Sequence, residues 1–140
     1  MAEAWQILLL MFFPPANRSY AGDQVRWNIK VTNNTHDVHT YSIDEQLKYT
    51  KEIADESIEY NATNKVELAG TDAVSAESTP QVTVDGQQSK TLTASYIVEN
   101  VYNDYQLENT VTVTNTKNAA QTATDSTSNR IGNDWTVTYN

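Results

Sequence analysis

His36-Asp37-Val38-His39 places two imidazoles and a carboxylate within four residues, a spacing that zinc or copper could use. A metal centre needs a third and a fourth ligand, and the chain has only 2 His and 0 Cys. On a strand, residues three apart also point to opposite faces, so the two rings would diverge. The expectation is a solvated turn with no metal. General acid–base work needs paired carboxylates in a cleft. The candidates are Asp44-Glu45, Asp55-Glu56 and Asp72, which lie among polar residues with no aromatic pocket beside them and read as solvated charge. There is no Gly-x-Ser-x-Gly elbow, no glycine-rich phosphate loop among 4 Gly, and no Asp-x-Asp-x-Asp-Gly calcium loop. Absence of cysteine removes disulfide scaffolds and thiolate nucleophiles. The chain is expected to be no enzyme and to need no cofactor.

Two covalent possibilities remain. In some bacterial surface domains a strand lysine and a strand asparagine condense beside a buried acid, and Lys30 and Asn109 lie in strand-like segments. Lys30, however, alternates with Ile29 and Val31 and should face water. The sequons at Asn17, Asn33 and Asn61 could carry N-linked glycans, and they mark surface loops. Non-covalent recognition would fall to aromatic residues. Tyr41, Tyr49, Tyr60, Tyr102 and Tyr105 are placed in loops or at strand ends, and Tyr102 and Tyr105 are the candidates for stacking on a saccharide. Trp27 and Trp135 read as inward core residues by their alternation.

The elements that must position these residues are strands. In a chain of 140 residues, Thr occurs 19 times and Asn 14 times, while charged residues make up 19%. Thr favours strands and Asn favours turns. Val25-Arg26-Trp27-Asn28-Ile29-Lys30-Val31-Thr32 alternates apolar and polar without error, and similar alternation runs through Leu92 to Val98, Leu107 to Val113 and Trp135 to Tyr139. Weaker strands are expected at Val38 to Ile43, Ile58 to Tyr60 and Lys65 to Ala69, and Asp85-Gly86 is a turn signal. Ile43, Leu47, Thr50, Ala54 and Ile58 fall at helical spacing, a stripe weakened by Thr50, with a capping-box pair in Ser42 and Glu45, so a short helix is expected near residues 44–56. Residues 116–134 read as a polar loop or an irregular strand pair. The fold expectation is one all-β domain over residues 1–140, an immunoglobulin-like sandwich of about seven to nine antiparallel strands.

The longest apolar run, Ile7-Leu8-Leu9-Leu10-Met11-Phe12-Phe13, is far below the roughly 20 residues that span a bilayer. Glu3 and the Pro14-Pro15-Ala16-Asn17 stretch fit a secretory leader poorly, so the run reads as a buried first strand stopped by its prolines. Trp5, Ile7, Leu8, Leu9, Leu10, Met11, Phe12 and Phe13 are the candidate assembly residues. The segment 4–13 either completes its own sheet or is donated to a neighbouring copy, since an apolar edge recruits partners. The balance of 9 Lys+Arg against 18 Asp+Glu, net charge −9, speaks against nucleic acid and anionic membranes.

Four segments taken together resemble the conserved-repeat, immunoglobulin-like domains of prokaryotic and viral surface proteins. Ala21-Gly22-Asp23-Gln24-Val25-Arg26-Trp27-Asn28-Ile29-Lys30-Val31-Thr32-Asn33 resembles that family's Gly-Asp turn and second strand. Ser42-Ile43-Asp44-Glu45-Gln46-Leu47 is similar to its following apolar segment, Asp85 to Tyr96 to its Gly turn and Thr-Leu-Thr strand, and Asn109 to Asn115 to its penultimate strand. The resemblance covers roughly residues 20–115 and carries over no catalytic residue. It implies a stalk, spacer, adhesive or assembly module on an extracellular surface, either a virion or a prokaryotic cell envelope. Its expected partners are copies of itself or other subunits of a capsid, tail, filament or cell wall, with no membrane insertion. Surface glycans are the partner of the rival reading, a carbohydrate-binding or host-adhesion module. A chain starting naturally at Met1 favours the virion, because virion parts assemble inside the host without a leader.

Overall fold

The structure is a computed structural model, and it describes residues 7–12, 18–72, 79–99 and 104–132. Ten strands occur among them: β1 (Ile7–Phe12), β2 (Arg18–Tyr20), β3 (Gln24–Asn33), β4 (His39–Ile53), β5 (Glu56–Asn61), β6 (Glu67–Ala69), β7 (Gln81–Val84), β8 (Ser89–Ile97), β9 (Gln106–Asn115) and β10 (Asn118–Gly132). One turn of 3-10 helix, Thr63–Lys65, sits between β5 and β6. The strands form two sheets, one ordered β1-β3-β8-β6 and the other β2-β10-β9-β4-β5, with β7 added beside the start of β4. The result is an immunoglobulin-like β-sandwich. One pairing departs from the antiparallel expectation: β2 runs parallel to the end of β10, with Arg18 opposite Arg130 and Tyr20 opposite Gly132. The chain thus leaves one sheet after β1 and joins the other at β2.

Period-two alternation builds the core. Val25, Trp27, Ile29 and Val31 of β3 and Leu92, Ala94 and Tyr96 of β8 are buried from one sheet. From the other come Tyr41, Ile43, Leu47 and Tyr49 of β4 and Leu107, Val111 and Val113 of β9. Each fully buried aliphatic side chain contributes roughly 1.5–3 kcal/mol, so these rows provide the cohesion that disulfides supply in smaller domains. Tyr49 and Tyr96 join the two sheets directly through a hydroxyl–hydroxyl hydrogen bond of 2.5 Å.

The expected helix at residues 44–56 is absent, and strand β4 occupies most of that span. A spacing of four satisfies both a helical stripe and every second step of a strand, so Ile43 and Leu47 fit either element. The ladder to β9 decides between them, pairing Tyr41 with Asn115 through to Thr50 with Gln106. The remainder of the span is the turn at Ala54-Asp55 and the start of β5. Residues 118–132, which lie within the segment read as a polar loop or irregular pair, form one long strand against β9, irregular only between Asn118 and Thr122. Thr112 with Thr124 and Thr114 with Thr122 make hydroxyl contacts of 3.1 and 3.0 Å across this pair, which is how so polar a strand is held. The strand expected at Trp135 to Tyr139 lies outside the described residues.

Tight turns set the registers. Gly86 is required by close approach, because a Cβ there would lie 2.5 Å from the His36 carbonyl carbon. The two-residue β4–β5 hairpin turn has φ of 52° at Ala54 and 71° at Asp55, and Ile53 pairs with Glu56 across it. Such turns favour Asn-Gly, and a Cβ in the left-handed region costs roughly 1 kcal/mol. Ala54→Asn is therefore expected to stabilise the domain by about 0.5–1 kcal/mol, read as a rise in the urea midpoint at unchanged slope.

Candidate functional site

Strand β1 holds six of the eight candidate assembly residues, Ile7, Leu8, Leu9, Leu10, Met11 and Phe12. It pairs antiparallel with β3 of the same chain, Leu9 opposite Val31 and Met11 opposite Ile29. It is the outermost strand of its sheet and runs close to β10 at the seam between the two sheets. Trp5 and Phe13 lie outside the described residues.

The loops at one end of the sandwich are latched by Asn33, one of the three sequon asparagines. Its side chain is fully buried, and its Nδ2 donates to the carbonyls of Asp37 (2.8 Å) and Val84 (2.9 Å). Its Oδ1 accepts from the Thr35 amide (2.9 Å) and hydroxyl (2.8 Å). Gln87 crosses to the same loop, donating from its backbone amide to the carbonyls of Asn33 and Thr35. The surface-loop expectation is therefore corrected at Asn33: both amide hydrogens are committed in the interior, where a glycan has no room. Asn61 is exposed and receives a hydrogen bond from the Thr63 amide at 2.8 Å. Asn17 lies outside the described residues. His36 is exposed in the loop before β4 and His39 begins that strand; the described residues contain no group of three or more ligands that could hold a metal. His39 instead lies 3.4 Å from the Asn115 amide.

Of the candidate aromatics, Tyr41 and Tyr49 are buried core residues, because both point inward on β4. Tyr105 is half-buried against the core, and its ring is 5.8 Å from that of the more exposed Tyr60 with the planes at 49°. Lys51 Nζ sits 5.3 Å from the centre of the Tyr105 ring, a cation–π contact. Crossed planes with a lysine over one ring do not make a flat stacking platform. Tyr102 lies outside the described residues.

The most unusual chemistry is inside. Asn109, on the inward face of β9, is fully buried, and its Nδ2 donates to Glu45 Oε2 at 2.6 Å. Glu45 stands on β4 between Ile43 and Leu47, on the row that enters the core. Burial raises its carboxyl to about 7; the Asn109 hydrogen bond acts in the opposite direction, and the neighbouring Asp44 charge adds to the rise. Glu45 Oε1 and Asn109 Oδ1 are both enclosed, and neither has a hydrogen-bond partner among the described residues. The carboxyl stands beside a cleft of about 490 Å³ walled by Ile43, Thr63, Val66, Leu68 and Pro80. A carboxyl titrating near neutrality has the acidity of a general acid or base. Here the two enclosed oxygens are closed to an incoming substrate. Lys30 is exposed on the outer side of β3, so it is not brought to Asn109 for a covalent cross-link.

No protein-family model matches the chain, and no curated protein matches it. Solved structures do. The sporulation control protein Spo0M from Bacillus subtilis aligns over 91% of this chain at 12% identity with a TM-score of 0.57. The chain spans 50% of the length of Spo0M. The ASH / PapD-like domain 7 of human CEP192 aligns over 94% of this chain and 89% of its own length, at 8% identity and a TM-score of 0.59. A family 123 glycoside hydrolase from Clostridium perfringens aligns over 83% of this chain, which covers 22% of that enzyme, at 10% identity and a TM-score of 0.55. At such identities the likeness shows the sandwich fold alone.

The Glu45–Asn109 pair is what the sequence reading missed. The signal was present: strict alternation through Tyr41, Ile43, Leu47 and Tyr49 leaves Glu45 on the inner row, and the row Leu107, Val111, Val113 does the same for Asn109. The latch at Asn33 makes its own prediction. In a glycosylating host, the Asn33 peptide is expected to carry no glycan by mass spectrometry, and Asn33→Ala is expected to cost about 1–3 kcal/mol in urea denaturation, since it takes the Asn33 side chain from the buried Val84 carbonyl and from the Thr35 amide.

Proposed function

We propose that the chain is a non-catalytic structural module of a repetitive extracellular surface assembly, acting through subunit packing and display. The observation that carries this reading is the position of β1: one of the most apolar segments of the chain forms the outermost strand of its sheet. Natural sandwiches blunt their edges with charge, proline or short strands, whereas this strand has no charged residue over Ile7–Phe12. An uncharged apolar edge of that kind favours contact with another subunit, and the net charge of −9 keeps free copies apart until such a contact forms. A virion decoration or tail component and a pilus-like filament or surface stalk are the two settings that fit, consistent with the resemblance to surface-protein repeats.

Deletion of residues 1–15 tests the reading, with light scattering and electron microscopy of the intact and shortened chains. The intact chain is expected to form ordered oligomers or filaments. A shortened chain that stays folded but monomeric supports assembly through this strand, and an intact chain that remains monomeric at high concentration sinks it. The rival carbohydrate-binding reading rests on Tyr102 and Tyr105. A glycan array is expected to show no binding at millimolar glycan, with Tyr102→Ala and Tyr105→Ala as controls for any signal; specific binding lost in both variants would establish the rival instead.

A further inference from the structure

Two enclosed acceptor atoms stand unpartnered on groups already joined to each other. Asn109 Nδ2 donates to Glu45 Oε2 at 2.6 Å, while Glu45 Oε1 and Asn109 Oδ1, the second oxygen on each side, lack a donor among the described residues. A buried acceptor without a partner costs about 1–3 kcal/mol, so two on adjoining groups call for a common explanation. A carboxyl and a carboxamide are complementary when the carboxyl carries a proton: the amide N–H reaches one carboxyl oxygen, and the acid O–H returns to the amide oxygen in a planar eight-membered ring. One proton thus satisfies both orphaned atoms, and no ligand needs to enter. We propose that Glu45 is held in the folded protein as the neutral acid, donating from Oε1 to Asn109 Oδ1, so that β4 and β9 share a proton-dependent clasp that opens when the proton leaves.

The surroundings agree with this. Asp44 on the same strand is the charged neighbour that acts on Glu45, and it favours retention of the proton. Asn109 on β9 is uncharged, and among the described residues the cleft lining of Ile43, Thr63, Val66, Leu68, Thr79 and Pro80 adds no ionisable group to Asp44 and Glu45. No cation among these offers the carboxylate a counter-charge. Once deprotonated, Glu45 keeps one hydrogen bond, and its second oxygen becomes a charged acceptor facing an amide oxygen beside the cleft. The clasp therefore makes the inner wall of the cleft sensitive to pH near neutrality, whether or not copies of the chain assemble.

The sign follows from linkage. The carboxyl is raised from 4.5 to about 7 on folding, so between those values the native state binds more protons than the unfolded chain. This contribution to stability is complete below pH 4.5, declines as pH rises through the window and is gone above about 7. The decisive experiment uses the full chain and two readouts. Carbon-13 NMR of the glutamate carboxyls, with the Glu45 signal identified by its loss in Glu45→Gln, is expected to give a midpoint near 7. Urea denaturation at pH 5 and pH 8 is expected to show wild type losing folded-to-unfolded ratio relative to Glu45→Gln, by on the order of a hundredfold. Glutamine mimics the protonated acid, because its Nε2 donates to Asn109 Oδ1 at any pH. A wild-type midpoint near 4.5, or pH profiles that run parallel in the two proteins, overturns the proposal. If the variant does not fold, through-bond assignment of the Glu45 carboxyl from its own backbone resonances in wild type replaces the comparison, and the wild-type midpoint decides the matter.

Discussion

The ladder between β4 and β9 is the constraint on which the rest of the sandwich depends. Ten residue pairs, from Tyr41 with Asn115 to Thr50 with Gln106, fix which side of each strand faces the opposite sheet. A slip of one residue would send Tyr41, Ile43, Leu47 and Tyr49 to water and bring Asp44, Gln46 and Lys48 inside. The same register turns Glu45 inward to Asn109, so the half-buried acid on this row is a consequence of the pairing that buries its neighbours.

Polar groups do structural work in three different ways here, according to how far each is from water. On the outer face of β9 and β10, threonine hydroxyls meet in cross-strand pairs and can be exchanged with solvent at little cost. At the loop end, Asn33 uses both amide hydrogens and its oxygen to bind the 33–37 loop to itself and to β7, and Gln87 ties the neighbouring turn to the same loop. Further in, Glu45 and Asn109 have only each other among the described residues, and in the proposed clasp the completeness of that pairing depends on a proton. Burial turns the same kind of hydrogen bond from an accessory into a condition of stability.

Much of this fold was legible as alternation. The rows on β3, β8 and β9 were read correctly because consecutive apolar and polar residues leave only one face that can enter a core. The segment at residues 44–56 was misread because Ile43 and Leu47, four apart, satisfy two periods at once, and the capping-box residues Ser42 and Glu45 favoured the wrong one. Its strand character depends on ten partner residues more than fifty positions away, which no local window contains. Glu45 was read as solvated because its neighbour Asp44 and the nearby Gln46 are polar, although on a strand those two belong to the opposite face.

The sequence alone determined that the domain would be all-β and cysteine-free, with a core made from alternating rows and an acidic surface, because composition and period two act locally and allow no other economical burial. Tertiary structure alone decided the rest. It paired β1 with β3 at the edge of one sheet, turned a sequon asparagine into an internal latch, drew a polar fifteen-residue segment into a strand, and enclosed a carboxyl against a carboxamide. Each of these depends on which distant strand arrives alongside. A hydrogen-bond partner, unlike a hydrophobic face, is supplied by the fold and not by the residue that needs it.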